Sequence, residues 1–522
     1  MAQPQATGTV AVIGAGIGGL AAAIDLARCG FRVVVLERAA HVGGKMRCTP
    51  SALGAIDAGP TVLTMKRVFE ELFADAGVRL EDRLTLRPLE ILARHAWQDG
   101  SRLDLFADAR RTEDAIGVFA GAAEARGYRR FNARARRTFA ALEHSFIDAP
   151  RPGPFELVRR CAPHALGDLL GINPFGTLWD DLAHYFSDVR LRQLFGRYAT
   201  YCGASPFLAP ATLMLIAHVE QAGVWSVEGG MYRLADALQR LATEAGVRFR
   251  FGAHVREIDV SEGRARAVVL EDGERIDVAA VVSNADAAAL AAGAFGARAA
   301  AALRMRNRSR SLSALTLACA GRAGGFDLVR HNVFFGADYA DEFDAIFRRG
   351  RLPANPTVYL CAQDRCDRPD AAESDERLFW LVNAPPAGDE GRPNHEEIEL
   401  CRKKATAVME SCGLTIEPAG PETITGPTEF NEAFPGSGGA LYGQATHGWR
   451  ASFQRPGSRT RIPGLYLAGG GAHPGAGVPI AAISGRLAAQ ALMADLASHV
   501  PSRRAATRGG MSTRSAMTGN SA

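Results

Sequence analysis

Residues 9–47, which read TVAVIGAGIGGLAAAIDLARCGFRVVVLERAAHVGGKMR, decide the fold of this chain. A short apolar run at residues 10–13 precedes a G-x-G-x-x-G turn, and an alanine-rich helical pattern follows the turn. A second apolar run then ends at Glu37. This order predicts a strand–helix–strand unit with a phosphate-binding turn at the start of its helix.

The glycines of the turn have separate physical roles. Gly14 permits the tight turn out of the strand, and Gly16 lets a pyrophosphate approach the backbone because it has no Cβ. Gly19 allows the helix to pack close to the sheet. The amides at the helix start then face the phosphates at the positive end of the helix dipole. We therefore predict that Gly14, Gly16, Gly18 and Gly19 bind a dinucleotide.

Glu37 stands 18 residues after Gly19, where a carboxylate accepts hydrogen bonds from a ribose diol. A carboxylate there would repel a 2′-phosphate, which argues against NADP. The alternative is a glycine-rich turn that only packs. A strand before the turn, a helix after it and an acid at this distance favour the nucleotide site.

Length and composition limit the other classes of function. The chain has 522 residues, is 47% hydrophobic and 22% charged, and is long enough for two or three domains. Its net charge of +4 is small, so we expect no nucleic-acid partner. Nine cysteines without a C-x-x-C pair predict reduced thiols in a cytosolic protein and no metal site.

The sequence predicts neither an export signal nor a transmembrane helix. No lysine or arginine precedes Arg28, the apolar run at residues 10–13 is too short for a signal-peptide core, and no run of about 18 apolar residues occurs. Association with a membrane surface stays open.

Two further motifs extend the opening stretch. Val-Gly-Gly-Lys at residues 42–45 and Asp-Ala-Gly-Pro at residues 57–60 complete a fingerprint that resembles the flavoprotein amine oxidase and carotenoid desaturase superfamily. The resemblance implies FAD as the cofactor. It also implies that the loop with Gly44 passes close to the pyrophosphate and that Lys45 neutralises part of its charge.

A counterpart lies near the other end of the chain. Residues 465–489 read LYLAGGGAHPGAGVPIAAISGRLAA, a strand, a glycine loop and a helix of small residues. The H-P-G-A-G-V-P run resembles the bacterial carotenoid desaturases, and amides at such a helix start support negative charge on a flavin. From this resemblance we assign Gly469, Gly470, Gly477 and Val478 to the cofactor, and Val255 to a backbone contact with adenine.

No catalytic side chain is assigned. His473 could act as a base, but it could equally be a packing or hydrogen-bonding residue of its loop. Asp57 is expected to be structural in the flavin fold. Neither a Ser/His/Asp nor a Cys/His constellation can be assembled from the sequence.

The resemblance implies an α/β fold: a Rossmann-like FAD-binding domain of the glutathione-reductase type, an inserted α+β substrate domain and a helical, membrane-facing region. The predicted FAD-binding domain comprises residues 1–80, 220–295 and 440–498. The substrate sheet comprises residues 81–109 and 296–439, the helical region residues 110–219, and a disordered tail residues 499–522. Residues 247–251, 255–260, 265–270 and 275–278 are predicted to form one meander.

Within this superfamily the interior resembles the 1-hydroxycarotenoid 3,4-desaturases, also called methoxyneurosporene dehydrogenases. The residues that carry the likeness are Tyr-Ala-Thr-Tyr at 198–201, Ser-Pro at 205–206 and the run from Ala222 to Met231. The likeness implies dehydrogenation of an acyclic carotenoid of the 1-hydroxyneurosporene type, with an unknown electron acceptor. Tyr198, Tyr201 and His184 are candidates to bind the substrate hydroxyl. The alternatives are a phytoene desaturase, a flavin amine oxidase, or a non-redox binding protein similar to a GDP-dissociation inhibitor.

Two surface features bear on the membrane. Residues 155–186 mix aromatic and aliphatic side chains with few acids, which fits either an internal helical domain or an amphipathic docking surface. The arginines between residues 126 and 137 fit either a solvated helix face or contact with anionic headgroups. We expect a cytoplasmic protein, peripheral on the inner face of the cell membrane.

Overall fold

The computed structural model describes residues 8–161, 175–305, 309–365 and 373–498, so the predicted disordered tail lies outside the described residues. One of its two large sheets is a five-stranded parallel sheet whose strands come from both ends and the middle of the chain. The strands, in spatial order, are Leu465–Leu467, Ala280–Ser283, Thr9–Ile13, Arg32–Glu37 and Arg248–Phe251.

The predicted strand–helix–strand unit is present at the centre of this sheet. Strand β1 (Thr9–Ile13) pairs with β2 (Arg32–Glu37), and helix α1 (Ile17–Arg28) connects them. The C-terminal helix Val478–Ser498 packs directly on α1, because a Cβ at Gly485 would lie 2.0 Å from the carbonyl oxygen of Gly18. The two ends of the chain therefore meet backbone to backbone.

The predicted four-strand meander is wrong in its first strand. Arg248–Phe251 pairs in parallel with β2 and closes the edge of the parallel sheet. It follows the helix Tyr232–Glu244, and a helical crossover returns the chain parallel to its neighbours. A three-stranded antiparallel sheet contains the other strands, Val255–Ser261, Arg264–Leu270 and Arg275–Asp277.

A second, eight-stranded sheet follows, antiparallel except where His331–Phe335 runs parallel to Ile91–Trp97. The helix His395–Ser411 packs on one of its faces. In the strand Glu376–Ala384, Trp380 points to that helix, whereas Phe379 and Leu381 point to the opposite face and line a cavity. The other strands are Arg102–Phe106, Ser313–Gly324, Val358–Ala362, Thr415–Pro418 and Thr423–Thr425.

The helical region packs against this second sheet. Its helices are Ala109–Ala120, Ala122–Leu142, Pro154–Cys161, Leu178–Leu182, Val189–Gly196 and Leu215–Gln221. Phe131, Phe186 and Phe195 form an aromatic core in which ring centroids lie 4.8 to 5.6 Å apart. Part of the predicted docking stretch is therefore interior.

Other residues of that stretch lie at the surface. The side chains of Phe155, Val158 and Phe175 are exposed, with 85%, 41% and 76% of their area accessible. Leu169 and Leu170, which were predicted to share this surface, lie outside the described residues.

Shorter elements connect these layers. The remaining helices are Arg67–Asp75, Ala287–Ala291, Ala297–Ala300, Tyr339–Phe347 and Pro427–Ala433. Two small strand pairs are Cys48–Thr49 with Ile56–Asp57, and Leu86–Pro88 with Trp225–Val227.

Among the described residues, one helix, Val478–Ser498, is long and apolar enough to cross a membrane. Half of its apolar window is buried inside the protein. Arg486, within that window, forms an ion pair with Asp25 of α1 at 3.1 Å. In this fold the helix belongs to the core beneath the parallel sheet.

Candidate functional site

A single cavity of about 880 Å³ joins the carboxyl ends of the parallel strands to the inner face of the second sheet. All but one of the predicted cofactor-binding residues line it: Gly14, Gly16, Gly18, Glu37, Gly44, Lys45, Val255, Gly469, Gly470, Gly477 and Val478. Gly19 lies behind the turn, where a Cβ would approach the carbonyl oxygen of Gly14 to 2.2 Å. The geometry brings the two motifs together, and their contacts with a cofactor stay a prediction.

The glycine turn before α1 leaves a space beside its backbone that any side chain would occupy. A Cβ on Gly16 would lie 2.7 Å from Asn284 Nδ2, and a Cβ on Gly18 would lie 2.8 Å from the Cα of Gly469. No side chain caps the N-terminus of α1. Its first amides are thus left for an anionic ligand, so the site fits the pyrophosphate of a dinucleotide.

The Glu37 carboxylate is fixed at the end of β2. Its Oε2 accepts a hydrogen bond from the amide of Ala15 at 2.7 Å, and its Oε1 accepts one from Ala39 at 2.8 Å. A carboxylate oxygen accepts more than one hydrogen bond, so capacity remains for the two hydroxyls of a ribose.

Lys45 makes contacts that the sequence did not indicate. Its ammonium donates to the carbonyl oxygen of Leu441 at 2.6 Å and lies 5.5 Å from the centre of the Phe434 ring. Burial lowers its pKa, and the negative charge of Asp286 opposes that effect. Lys45 therefore ties the second glycine loop to the C-terminal segment, and neutralisation of a pyrophosphate stays a prediction.

Two residues at the centre of the site were missed. Asn284 directly follows the strand Ala280–Ser283 and lies against Gly16, Gly18 and Gly469. Its position after a parallel strand was a usable signal, because ligands bind at the carboxyl ends of such strands.

Arg455 is buried and holds the C-terminal glycine loop in place. It donates to the carbonyl oxygens of Tyr442, Gly470 and Gln444 at 2.8 to 2.9 Å. No pattern in the sequence marks it.

Asp57 and His473 have structural positions. Asp57 accepts hydrogen bonds from the amides of Met231 and Tyr232 at 2.6 and 3.0 Å, which caps the helix Tyr232–Glu244. His473 Nε2 donates to the carbonyl oxygens of Phe146 and Ala149, both at 2.9 Å. Burial lowers the pKa of His473 to about 4, and its side chain is not among those that line the cavity. The hydrogen-bonding role that the sequence left open for His473 is the one observed.

A polar cluster interrupts the apolar wall of the cavity. Tyr201 donates to Glu220 Oε1 at 2.9 Å, and Tyr198 donates to the other carboxylate oxygen of Glu220. Arg197 and Tyr359 complete it. Of the three side chains predicted to bind a hydroxyl, Tyr201 lines the cavity, Tyr198 supports it from behind, and His184 is exposed elsewhere.

The described ranges contain no group of three or more His, Cys, Asp or Glu side chains placed to hold a metal ion. The cysteines in those ranges are all free.

Comparison with known proteins gives consistent matches. Residues 17–493 match the family described as flavin containing amine oxidoreductase. The chain is 51% identical over 526 residues, covering 100% of both chains, to a hydroxyneurosporene desaturase of Rubrivivax gelatinosus. It is 47% identical to the hydroxyneurosporene desaturase of Cereibacter sphaeroides, covering 94% of this chain and 98% of the relative.

A solved structure shares the fold. An oxidoreductase from Methanosarcina mazei superposes with a TM-score of 0.58 at 17% identity, covering 93% of this chain and 100% of its own.

Proposed function

This chain belongs to the flavin containing amine oxidoreductase family and uses FAD, and we propose that it desaturates an acyclic carotenoid of the hydroxyneurosporene type. Two relatives that are 51% and 47% identical over 100% and 94% of this chain carry that name, which supports the proposal. The reaction makes the protein an oxidoreductase that acts on a CH–CH group. The new bond would be the 3,4 double bond.

The observation that carries the proposal is the continuity of the cavity. From the glycine loops it extends between the second sheet and the helical region, along apolar side chains such as Leu213, Ile216, Phe379 and Leu381. It reaches the surface at Val158 and Phe175, which line it and are exposed. A long apolar wall that leads from the surface to a dinucleotide site suits a polyene better than a small polar amine.

Bound FAD supplies the two-electron oxidation that removes two hydrogens from a carbon–carbon bond. The residues of this chain bind the cofactor, hold the substrate bond against it and exclude water. The C-terminal helix begins at Val478, so its positive end faces the cavity and stabilises negative charge there. His473 donates from Nε2 to two carbonyl oxygens, so we assign it a hydrogen-bonding role and no step of proton transfer. Each turnover removes two electrons from the substrate, so the reaction requires an electron acceptor.

The test is a substrate panel. FAD-loaded protein in liposomes is incubated with 1-hydroxyneurosporene, with phytoene and with a set of amines, and the absorption spectra are followed. We expect one additional conjugated double bond in the hydroxylated carotenoid alone. Turnover of phytoene instead would replace the substrate assignment, and turnover of an amine alone would make the protein an amine oxidase.

We further propose that the protein is cytoplasmic and docks on the inner face of the cell membrane through the cavity mouth. The mouth carries exposed Phe175, in contact with Trp449 at a centroid distance of 5.6 Å, and Phe155 lies on the neighbouring helix. Arg450 stacks on Trp449 at 4.9 Å, which puts a cation beside the aromatic ring as an interfacial anchor requires. A carotenoid dissolved in the bilayer could then enter without crossing water.

Flotation with anionic liposomes tests the docking face. We expect the double variant Phe155→Ser/Phe175→Ser to float several-fold less than wild type while it retains its flavin. Val118→Ser is the matched control, because Val118 is 92% exposed but is not part of the cavity lining. Equal flotation of all three proteins would refute this docking face.

A further inference from the structure

Arg197 is an unusual residue for an apolar cavity. Its guanidinium lies deep inside the protein, yet part of the side chain remains accessible because it lines the cavity. Nη1 donates to Tyr201 Oη at 3.3 Å. In the described part of the chain, Nε and Nη2 have no hydrogen-bond partner, and no carboxylate lies within 4.0 Å of the guanidinium. A guanidinium has five N–H donors, so this one has donors to spare.

The groups around Arg197 fix its position but do not neutralise it. The rings of Tyr201 and Tyr359 lie 5.3 and 5.6 Å from its guanidinium carbon. Tyr359 is itself held by Thr61 at 2.6 Å and by His331 Nδ1 at 2.7 Å. The guanidinium is thus oriented between two rings that are themselves anchored.

Burial lowers the pKa of the Arg197 guanidinium, but Tyr201 and the negative charge of Glu220 outweigh that effect and raise it. Each carboxylate oxygen of Glu220 already accepts a hydrogen bond from a tyrosine. Each oxygen can accept another, and Glu220 lines the cavity. Arg197 and Glu220 therefore offer a donor and an acceptor to the same space.

The cluster lies at the cofactor side of the cavity. Thr61, which bonds Tyr359, directly follows the Asp-Ala-Gly-Pro motif at residues 57–60. Cys202, close in sequence to Arg197, faces the same cavity as Gly470, and its electrostatic partner Arg455 bonds the carbonyl oxygen of Gly470. The exposed mouth at Phe175 is formed by other elements.

Resting on the proposed function, we infer that Arg197 and Glu220 bind the oxygen on C1 of the substrate. In a 1-hydroxycarotenoid this oxygen is bonded to C1, and C2 alone separates C1 from the C3–C4 bond that is oxidised. The group that binds the oxygen must therefore lie beside the cofactor. The hydroxyl oxygen accepts from Arg197, and the hydroxyl hydrogen is donated to Glu220. This contact determines that the C3–C4 bond of the substrate lies against the flavin. Arg197 is therefore a specificity-determining residue.

The test compares two substrates of equal chain length, 1-hydroxyneurosporene and neurosporene, with wild type, Arg197→Met and Arg197→Lys. Loss of a hydrogen bond to a charged group predicts a fall in kcat/KM of about 10- to 150-fold on the hydroxylated substrate for Arg197→Met. The value for neurosporene should stay within about threefold of wild type. Arg197→Lys should lie between wild type and Arg197→Met, because lysine keeps a charge but not the planar fork.

Controls separate this role from a structural one. Arg192→Met changes an arginine of the preceding helix that stacks on Trp179 and does not line the cavity, so the ratio between the two substrates should not change. Flavin absorbance of every variant reports folding and cofactor binding. Should Arg197→Met lose its flavin, Tyr201→Phe and Tyr359→Phe test the same site, with a smaller fall confined to the hydroxylated substrate.

Equal losses on both substrates, or an unchanged ratio, would overturn the inference while the proposed function stands. A wild-type protein that converts neither carotenoid would refute the proposed function and this inference with it.

Discussion

Replacing Gly18 with alanine will push apart the two halves of the cofactor site. A Cβ at this position would lie 2.8 Å from the Cα and N of Gly469 and 2.7 Å from Asn284 Oδ1, whereas ordinary contact begins at 3.4 Å. The obstacle includes backbone, so it cannot rotate away as a flexible side chain would. Overpacking of this kind costs about 1–3 kcal/mol. If that strain opposes the geometry that binds FAD, the dissociation constant rises about 5- to 150-fold.

The assay is titration of the apoprotein with FAD, followed by flavin fluorescence, together with thermal unfolding. Gly117→Ala is the matched control, because Gly117 lies in the helix Ala109–Ala120 and a Cβ there meets only Ala125 Cβ at 3.6 Å. Alanine raises helix propensity by up to about 1 kcal/mol, so the control should be slightly stabilised and should bind FAD normally. A Gly18→Ala protein that behaves like Gly117→Ala would refute the close approach of the two motifs.

Three further perturbations have defined outcomes. Asp57→Ala leaves two amides at the start of a buried helix unpaired, so the free energy of unfolding should fall by about 1–3 kcal/mol, and Asp57→Asn should recover much of that loss in thermal unfolding. Arg455→Met removes the donor that joins the carbonyl oxygen of Gly470 in the C-terminal loop to those of Tyr442 and Gln444, so the variant should lose FAD on gel filtration, measured as the ratio of flavin to protein absorbance; full retention would show that the loop holds without it. The pKa of His473 falls from 6.5 to about 4 on folding, so the unfolded state binds more protons in that interval, and stability should fall as the pH drops from 6.5 towards 4. His473→Gln should flatten that dependence relative to the exposed control His144→Gln, and an identical pH profile would contradict the buried neutral imidazole.

The parts of the site that could be predicted depend on local spacing. Gly14, Gly16 and Glu37 have fixed separations in the sequence because one turn and one strand position them. The C-terminal glycines could be predicted for the same reason, because their spacing is also local. The pairing of these segments across the chain rested on the resemblance to a family.

Residues whose partners are remote in sequence could not be predicted. Arg455 donates hydrogen bonds to carbonyl oxygens of two loops. Arg197 is positioned by Tyr359, which is more than a hundred residues away in the sequence. The ammonium of Lys45 donates to the carbonyl oxygen of Leu441, and no spacing rule indicates that contact. The strand Arg248–Phe251 was misassigned because its alternation shows that it is a strand but not which strand it pairs with.

The backbone contact between Gly18 and Gly485 also orders events during synthesis. A ribosome adds about 5–20 residues per second, so roughly 20–90 s separate the emergence of α1 from that of the helix that covers it. For that interval Ile17, Leu20 and Ile24 have no partner from the C-terminal segment, and the half-site has no opposing glycines. We therefore expect flavin capture to follow synthesis of residues 478–498, and until then the exposed apolar face of α1 is a site of aggregation risk.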